Sequence, residues 1–381
     1  MQSNRRYEFS SLHELFYGGH VFYGRPLLPI FGEHFRVASR MAQVRHGRCA
    51  HSLRCSARSQ VEKTNYPYAM SHYLSWSCLG VVCCLMAMGC SDYMSKEEST
   101  ILSGHLKIGV DNSYSLMMDS QLDVYEALNK YADIEAVYQP ESKIMEMLLA
   151  DSIQAAVVSR GLREDEMSYF RSINRSPESV RIAVDAVVLA MHPSRVDTVI
   201  SMPQLERIFK GLDTTWSQVF PGSKAGPIRV VFDHSGSSNT RTIMNAFKLD
   251  KLPTTCYALQ SNQAVLEYVN QHPESMGMIS FSWIADEEDS VAQANRRLIR
   301  TMAIVDPHND AYRKMPRMPH QGYIYDRSYP LIRDVYYIRT GLRGTLGTGF
   351  ANHLTGERGQ LIIHKTGMVA THTPTRIIRA K

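Results

Sequence analysis

Three kinds of feature are scarce or absent in this chain of 381 residues, and each absence excludes a class of protein. Of the seven cysteines only Cys256 follows Cys90, so a disulfide-stabilised scaffold is excluded. The fifteen histidines show neither H-x-x-x-H nor H-x-H spacing, and a zinc or iron site is therefore not expected. The G-x-S-x-G segment that forms the nucleophile elbow of α/β-hydrolases is also missing.

Basic charge is concentrated in residues 1–69, which carry ten Lys or Arg against four Asp or Glu. From Cys90 onward 32 basic residues face 33 acidic ones, a net −1, although the whole chain carries +5. Residues 1–69 show no sustained helical or strand period. They are either a basic arm for nucleic acid or a non-structural leader, such as upstream sequence translated from an early start codon. We favour the leader, because the arginines are neither clustered nor interleaved with aromatic residues, and nucleic acid is not an expected partner.

Residues 70–89 contain no Lys, Arg, Asp or Glu, and they begin with Met70, which can serve as a second start. Their apolar run of twelve residues has the length of a secretory signal segment and is short for a membrane span. The run ends in Ala-Met-Gly before Cys90 and resembles a bacterial lipobox, which implies that Cys90 is the lipid attachment site. A plain N-terminal membrane anchor is the alternative. The polar residues 90–104 predict a flexible tether.

From His105 the chain alternates short apolar strands with amphipathic helices. The predicted strands cover residues 105–110, 134–139 and 153–160, and the predicted helices cover 117–132 and 141–151. We expect Ser142 to cap the second helix. Strand, helix, strand, helix, strand is typical of a parallel sheet with crossover helices, whose ligands bind beyond the carboxyl ends of the strands.

Residues 180–193 form an apolar stretch that is too long for one strand of a small sheet, so we interpret it as the chain crossing to a second lobe. Asp185 in this stretch is expected to bond to backbone groups at the hinge. Further predicted helices cover 201–211, 241–249, 260–273 and 347–367, and further strands cover 228–232, 275–284 and 329–338. The expected lobes are residues 105–185 plus 296–381 and residues 186–295.

The loop from Asp233 to Arg241 is polar and lies between a predicted strand and a predicted helix. Its hydroxyl and amide side chains would stand beside the unpaired N–H groups of the helix start, and Gly236 would let the backbone approach a ligand closely. Such an arrangement binds an oxyanion without a metal. The alternative is a simple Ser or Thr N-cap, which needs only one hydroxyl.

From about His105 to Lys381 the order of segments resembles the periplasmic phosphate-binding (PstS-like) substrate-binding proteins of ABC transporters. The segments that carry this resemblance are VVSRGLREDE, IAVDAVVLAMHP, SMPQLERIFKGLDTTWSQV, VVFDHSGSS, SMGMISFSW, YPLIRDVYYI and GERGQLIIHKTGMV. The resemblance implies an α/β, two-lobed type II periplasmic-binding-protein fold, with a mostly parallel sheet flanked by helices in each lobe and a hinge between them. It also implies an exported, monomeric, non-enzymatic protein without a cofactor that delivers phosphate or a similar oxyanion to an ABC permease.

The phosphate loop of that family reads R-x-D-x-S-G-T, and this chain keeps Asp233, Ser235 and Gly236 and has Ser237 in place of Thr. Val231 stands at the position of the Arg, so either Arg160 or Arg241 would have to supply the positive charge. The ligand-binding residues that the resemblance implies are Ser113, Ser159, Arg160, Asp233, Ser235, Gly236 and Ser237.

Asp111 and Asp233 are the acidic residues of these loops. A carboxylate can accept a hydrogen bond from protonated phosphate but not from sulfate, so either residue could select phosphate. The alternative for Asp233 is a structural cap or an Arg partner.

Two other functions are compatible with parts of the sequence. A ligand-sensing or adaptor lipoprotein of the same fold would bind another anion or none. An envelope serine hydrolase could use Asp233-His234-Ser235, but adjacent side chains of an extended segment point to opposite faces and do not form a triad.

Overall fold

The computed structural model describes residues 99–223, 226–309 and 315–372. The predicted leader and signal segment, Cys90 and most of the predicted tether lie outside these residues. Within the described ranges no helix has the length and apolar character needed to cross a membrane.

The described residues form a mixed α/β structure. Its strands are β1 Ser103–Asp111, β2 Tyr131–Gln139, β3 Ala155–Val158, β4 Glu178–Met191, β5 Val199–Ser201, β6 Arg229–Phe232, β7 Cys256–Ala258, β8 Ser275–Ser280, β9 Arg300–Thr301, β10 Ala303–Val305, β11 Ile332–Arg339 and β12 Val369–Ala370. Its α-helices are α1 Ser115–Leu128, α2 Glu141–Leu149, α3 Glu164–Ser172, α4 Met202–Phe209, α5 Trp216–Val219, α6 Ser238–Ala246, α7 Asn262–Gln271, α8 Ser282–Ala285, α9 Ser290–Leu298, α10 Gln321–Tyr325, α11 Leu346–Thr355 and α12 Glu357–Lys365.

The parallel sheet predicted for the first lobe is present. β1 pairs in parallel with β2 on one side and with β3 on the other, and α1 and α2 form the crossovers. β1 begins at Ser103, two residues before the predicted start. Because the strands are parallel, Asp111 at the end of β1 and Ser159 directly after β3 lie at the same edge of the sheet.

β4 corrects the prediction that residues 180–193 are too long for a single strand. All of Glu178–Met191 is one strand of 14 residues. Its first part pairs antiparallel with β11, and its last five residues pair antiparallel with β8. A strand that belongs to two halves of a sheet can be buried along most of its length, which accounts for its continuous apolar sequence.

The sheet order is β2-β1-β3-β11-β4-β8-β6-β7, with β6 parallel to both β7 and β8. The hydrophobic cores also divide between the two halves of the sheet. One contains Ile108 of β1 and Phe350 of α11, and another contains Trp216 of α5 and Phe232 of β6. Trp216 is fully buried and Trp283 nearly so.

Helix caps show where local sequence is sufficient to predict structure. Ser201 and Gln204 form a capping box at the start of α4, at the predicted position. Ser142 does not cap α2, which is a correction, because the helix already begins at Glu141 after Pro140. The backbone N–H of Ser142 donates instead to the carbonyl of Gly236, 3.0 Å away.

Candidate functional site

A buried carboxylate stands where the two halves meet. Asp111 is fully buried at the end of β1. Its Oδ1 accepts a hydrogen bond from the backbone N–H of Ser113 at 2.7 Å, and its Oδ2 accepts one from the backbone N–H of Ser238 at 3.1 Å. The first bond is local, whereas the second joins residues 127 positions apart in the sequence. Burial, followed by the nearby Glu141, raises the pKa of Asp111, although Arg333 opposes the shift.

The positive charge of this site comes from Arg333 on β11, a residue that the sequence analysis did not select. Its Nη1 donates to the hydroxyl of Ser238 at 2.9 Å, while Nε and Nη2 donate to Oδ2 of Asp185 at 3.1 and 2.8 Å. Burial acts to lower the pKa of Arg333, but Tyr114, Asp185 and Asp111 raise it, so the guanidinium stays charged. A lone Arg inside the apolar segment YPLIRDVYYI was the available signal, because a buried charge needs a partner.

Asp185 does not bond to backbone groups at the hinge, contrary to expectation. Its Oδ2 accepts hydrogen bonds from Arg333 and from the hydroxyl of Ser280, the latter at 2.8 Å. Its Oδ1 is buried and has no partner among the described residues. The side chain therefore acts as the counter-ion of Arg333, because a buried guanidinium without a carboxylate would be costly.

Ser237 caps α6, and it also bonds to Asp233. Its hydroxyl accepts from the N–H of Thr240 at 3.3 Å and donates to Oδ1 of Asp233 at 2.6 Å, while Asn262 donates to Oδ2 of Asp233 at 3.3 Å. Burial, followed by Asp111, raises the pKa of Asp233 to about 6. Both oxygens of Asp233 thus accept hydrogen bonds from protein side chains, while the N-cap of α6 is Ser237.

Ser113 and Ser238 bring donors from the two halves together. Their hydroxyl oxygens lie 3.3 Å apart, and both residues are fully buried. The carbonyl of Ser113 accepts from the indole N–H of Trp283 at 3.1 Å, which fixes the position of the loop after β1. The hydroxyls of Ser113 and Ser238, the N–H of Ser238 and the guanidinium of Arg333 consequently form one cluster of donors, which we call the inner site.

Ser159 and Arg241 form a second contact between the halves. Nη2 of Arg241 donates to the carbonyl and hydroxyl oxygens of Ser159 at 2.9 and 2.7 Å, and its guanidinium pairs with Glu141. The N–H and hydroxyl of Ser159 donate to Oε2 of Glu141 at 2.7 and 2.8 Å. Burial opposes ionisation, but Arg241 and Ser159 hold the pKa of Glu141 below its usual range. We call this group the outer clasp.

Arg160 is engaged elsewhere. Its two terminal nitrogens each donate to Glu166 at 2.7 Å, a bidentate pair within the first half. Of the two arginines expected to replace the one missing at Val231, neither therefore reaches the inner site, where Arg333 provides the charge.

Ser235 and Gly236 line a cavity of about 460 Å³ outside the inner site. A Cβ added to Gly236 would lie 2.0 Å from Oγ of Ser142, so only glycine permits this contact with α2. The close approach that glycine allows is thus to α2. The side chain of His234 faces the N–H of Gly236, with Nδ1 at 3.0 Å, while Asp233 bonds to Ser237 and Asn262. These partners do not make a hydrolase triad.

The structure thus divides the predicted ligand-binding residues into two groups. Ser113, Asp233 and Ser237 lie in or beside the inner site, and Ser159, Arg160, Ser235 and Gly236 lie around the outer clasp and its cavity. Within the described ranges no group of three or more His, Cys, Asp or Glu residues is placed to hold a metal ion.

Comparison with known proteins identifies the fold. A structure assigned as a phosphate ABC transporter substrate-binding protein of Clostridium perfringens, with bound phosphate, matches with a TM-score of 0.58 and 17% identity over 70% of this chain and 100% of its own. An ABC-type phosphate transport receptor from Vibrio cholerae matches with a TM-score of 0.53 and 18% identity, again over 70% and 100%. A high-affinity periplasmic phosphate-binding protein bound with phosphate gives a TM-score of 0.56 and 14% identity over 70% and 90%.

At these identities the structures establish the predicted two-lobed α/β fold, and the ligand is not determined by them. No curated protein sequence matches the chain. A sequence model of the PBP superfamily domain matches residues 95–358, which is more than half of the chain. The chain therefore belongs to the PBP superfamily.

Proposed function

We propose that this protein is a solute-binding protein that captures an oxyanion, phosphate in particular, at the inner site between its lobes. The observation that carries the proposal is the convergence of donors from both halves, Ser113 from one and Ser238 from the other, beside the charged Arg333. Free N–H groups at a helix start and a guanidinium are the donors that oxyanion sites use. Capture between two lobes that close about a hinge is a recurrent mechanism of binding proteins.

The charges of the inner site favour an anion that carries a proton. Asp111, Asp185 and Asp233 are all buried there, whereas Arg333 is the buried cation that contacts Asp185. A fully ionised anion would be repelled by the carboxylates, while a protonated one can donate hydrogen bonds to them. Phosphate near neutral pH carries a proton and sulfate does not. This preserves the selectivity hypothesis but assigns it to the group of carboxylates, because the oxygens of both Asp111 and Asp233 already accept protein hydrogen bonds.

The proposal includes export and anchoring. The protein would be held at the cell envelope through a lipid on Cys90 and would deliver its solute to an ABC permease, acting as a monomer. Support comes from the lipobox-like sequence before Cys90 and from the transport functions named for the phosphate-bound and receptor structures of the same fold.

Isothermal titration of the purified protein with phosphate, sulfate and molybdate tests the proposal. We expect phosphate to bind, sulfate to bind at least about tenfold more weakly, and Ser113→Ala plus Ser238→Ala to weaken phosphate binding about tenfold or more. Ser120→Ala on the exposed face of α1 is the matched control and should bind as the wild type does. Heat with none of the anions, together with an unchanged melting temperature, would refute anion capture.

The absence of binding to any of these anions would favour the alternative, a ligand-sensing or adaptor protein of the same fold. Two observations support this alternative specifically. In the described structure the N–H groups of Ser113 and Ser238 are already satisfied by Asp111, and the family Arg position holds the buried Val231.

A further inference from the structure

We propose that Asp111 is an internal ligand of the inner site, which holds the two lobes together when no solute is bound and must be displaced before an anion can enter. The displacement rests on the proposed function, whereas the effect of Asp111 on closure does not require that any anion binds.

The argument begins with the N–H of Ser238. Ser238 is the first residue of α6, a helix of nine residues, so its N–H has no acceptor within the helix. The side chain of its N-cap, Ser237, accepts from Thr240 instead. The orphan N–H of Ser238 is satisfied by Oδ2 of Asp111 from the other lobe. An anionic oxygen thus already stands at the donor that an oxyanion would use.

The surroundings of Asp111 are those of a bound anion. The carboxylate is fully buried, it has a hydrogen bond from Ser113 in its own lobe, and Arg333 contributes an opposite charge. Buried charges persist only when they are hydrogen-bonded and compensated. If Asp111 left this position without replacement, the N–H of Ser238 would be buried and unpaired. A solute oxygen is the replacement that would satisfy it.

The two hydrogen bonds of Asp111 would respond differently if a solute anion replaced its carboxylate. The bond to Ser113 spans two residues and can persist in either lobe arrangement, whereas the bond to Ser238 is lost when the lobes separate. The bond to Ser238 is therefore the one that couples closure of the lobes to which anion, the Asp111 carboxylate or a solute, occupies the inner site. The outer clasp does not contact the N–H of Ser238, so closure at the rim and occupation of the inner site are separable.

Asp111→Asn is the sharpest test because it preserves the size of the side chain. Its single oxygen can still accept from Ser113, but its NH2 group would then face the N–H of Ser238, where two donors cannot bond. Asp233→Asn is the matched control for ligand-free closure. It removes a carboxylate that is also buried and next to α6. Its oxygen can still accept from Ser237 and its NH2 group loses only the bond from Asn262, while the Asp111–Ser238 bond is untouched.

The first measurement is small-angle X-ray scattering of the ligand-free proteins at neutral pH. We expect Asp111→Asn to have a larger radius of gyration than the wild type, and Asp233→Asn to match the wild type. An Asp111→Asn protein as compact as the wild type overturns the proposal, whether or not phosphate binds. Expansion of both variants also overturns it, because loss of buried charge alone would then open the lobes.

The second measurement is titration with phosphate and sulfate. Removal of the internal competitor should raise the affinity for phosphate about tenfold or more, and the gain should be larger for sulfate, which has no proton to share with a carboxylate. Unchanged or reduced affinity for both anions overturns the displacement. If Asp111→Asn expands but neither protein binds any anion, the closure role of Asp111 is upheld and the proposed function is the part that fails.

Discussion

Arg333 of β11 and Asp185 of β4 form a fully buried ion pair, with Nη2 of the guanidinium 2.8 Å from Oδ2 of the carboxylate. The pair connects the strand shared by the two lobes to the inner site, because the same guanidinium reaches the hydroxyl of Ser238. Breaking a buried pair on one side leaves an uncompensated charge in the interior.

Substitution of either Arg333 or Asp185 should therefore lower the stability of the protein considerably. We expect Asp185→Asn or Arg333→Met to lower the free energy of unfolding by about 3–5 kcal/mol, measured by urea denaturation. The matched control is an ion pair that joins the same two strands at the surface. Arg181 and Asp334 are half-exposed and 3.3 Å apart, so Arg181→Met should cost less than about 1 kcal/mol. Equal losses for the two pairs would contradict this account of Arg333.

The stability of the protein should depend on the ionisation of Asp233. Its pKa is about 6 in the folded protein against 3.8 without perturbation, so the folded state holds a proton that the unfolded state has released between these values. The free energy of unfolding is therefore expected to fall as pH rises from about 4 to 6. Lowering the pH over the same range should raise it by up to about 3 kcal/mol. The groups around this carboxyl are Asp111, Arg333, Ser237, Asn239 and Asn262.

Asp233→Asn isolates this contribution. The variant should lack the part of the pH dependence that lies between about pH 4 and 6, as measured by urea denaturation at a series of pH values. A variant with the same slope as the wild type in this range would show that Asp233 ionises normally in the folded protein.

The contact between Gly236 and α2 should not tolerate a side chain. A Cβ at this position meets Oγ and Cβ of Ser142 at 2.0 and 3.0 Å, so Gly236→Ala requires the Ser142 side chain to rotate and the loop to shift from the helix. We expect a loss of about 1–3 kcal/mol in unfolding free energy and a larger ligand-free radius of gyration. Adding Ser142→Ala should restore part of the loss.

The control for this steric effect is Gly341→Ala, because a Cβ at Gly341 would have no neighbour within 4 Å. That variant should match the wild type in stability and dimensions. If Gly236→Ala were equally neutral, the close packing of the loop on α2 would not be a feature of the protein in solution.

Lipid attachment can be tested independently of any ligand. Cells that express the full chain with radiolabelled palmitate should yield a labelled protein, and Cys90→Ala should abolish the label, because the lipobox modifies one thiol. Cys84→Ala changes another cysteine of the same apolar segment and should remain labelled. Label in the Cys90→Ala protein would refute the lipobox assignment.

Elements whose signals are local could be predicted from the amino-acid sequence. The alternation of apolar strands and amphipathic helices after His105 predicted that β1, β2 and β3 are parallel, since each crossover helix returns the chain to the same edge of the sheet. The capping box of Ser201 and the cap at Ser237 were predictable for the same reason, because an N-cap bonds to a backbone group within three residues.

The pairing of the buried polar groups, in contrast, depends on the three-dimensional fold. Asp111 and Ser238, Asp185 and Arg333, and Glu141 and Arg241 are each about a hundred or more residues apart, and no periodic pattern relates them. Their pairing follows from burial, which forces each charge or free N–H to find a partner wherever the fold supplies one. A helix cap could be assigned from sequence because its bond is local. The arginine of the inner site could not, because its partners are distant along the chain.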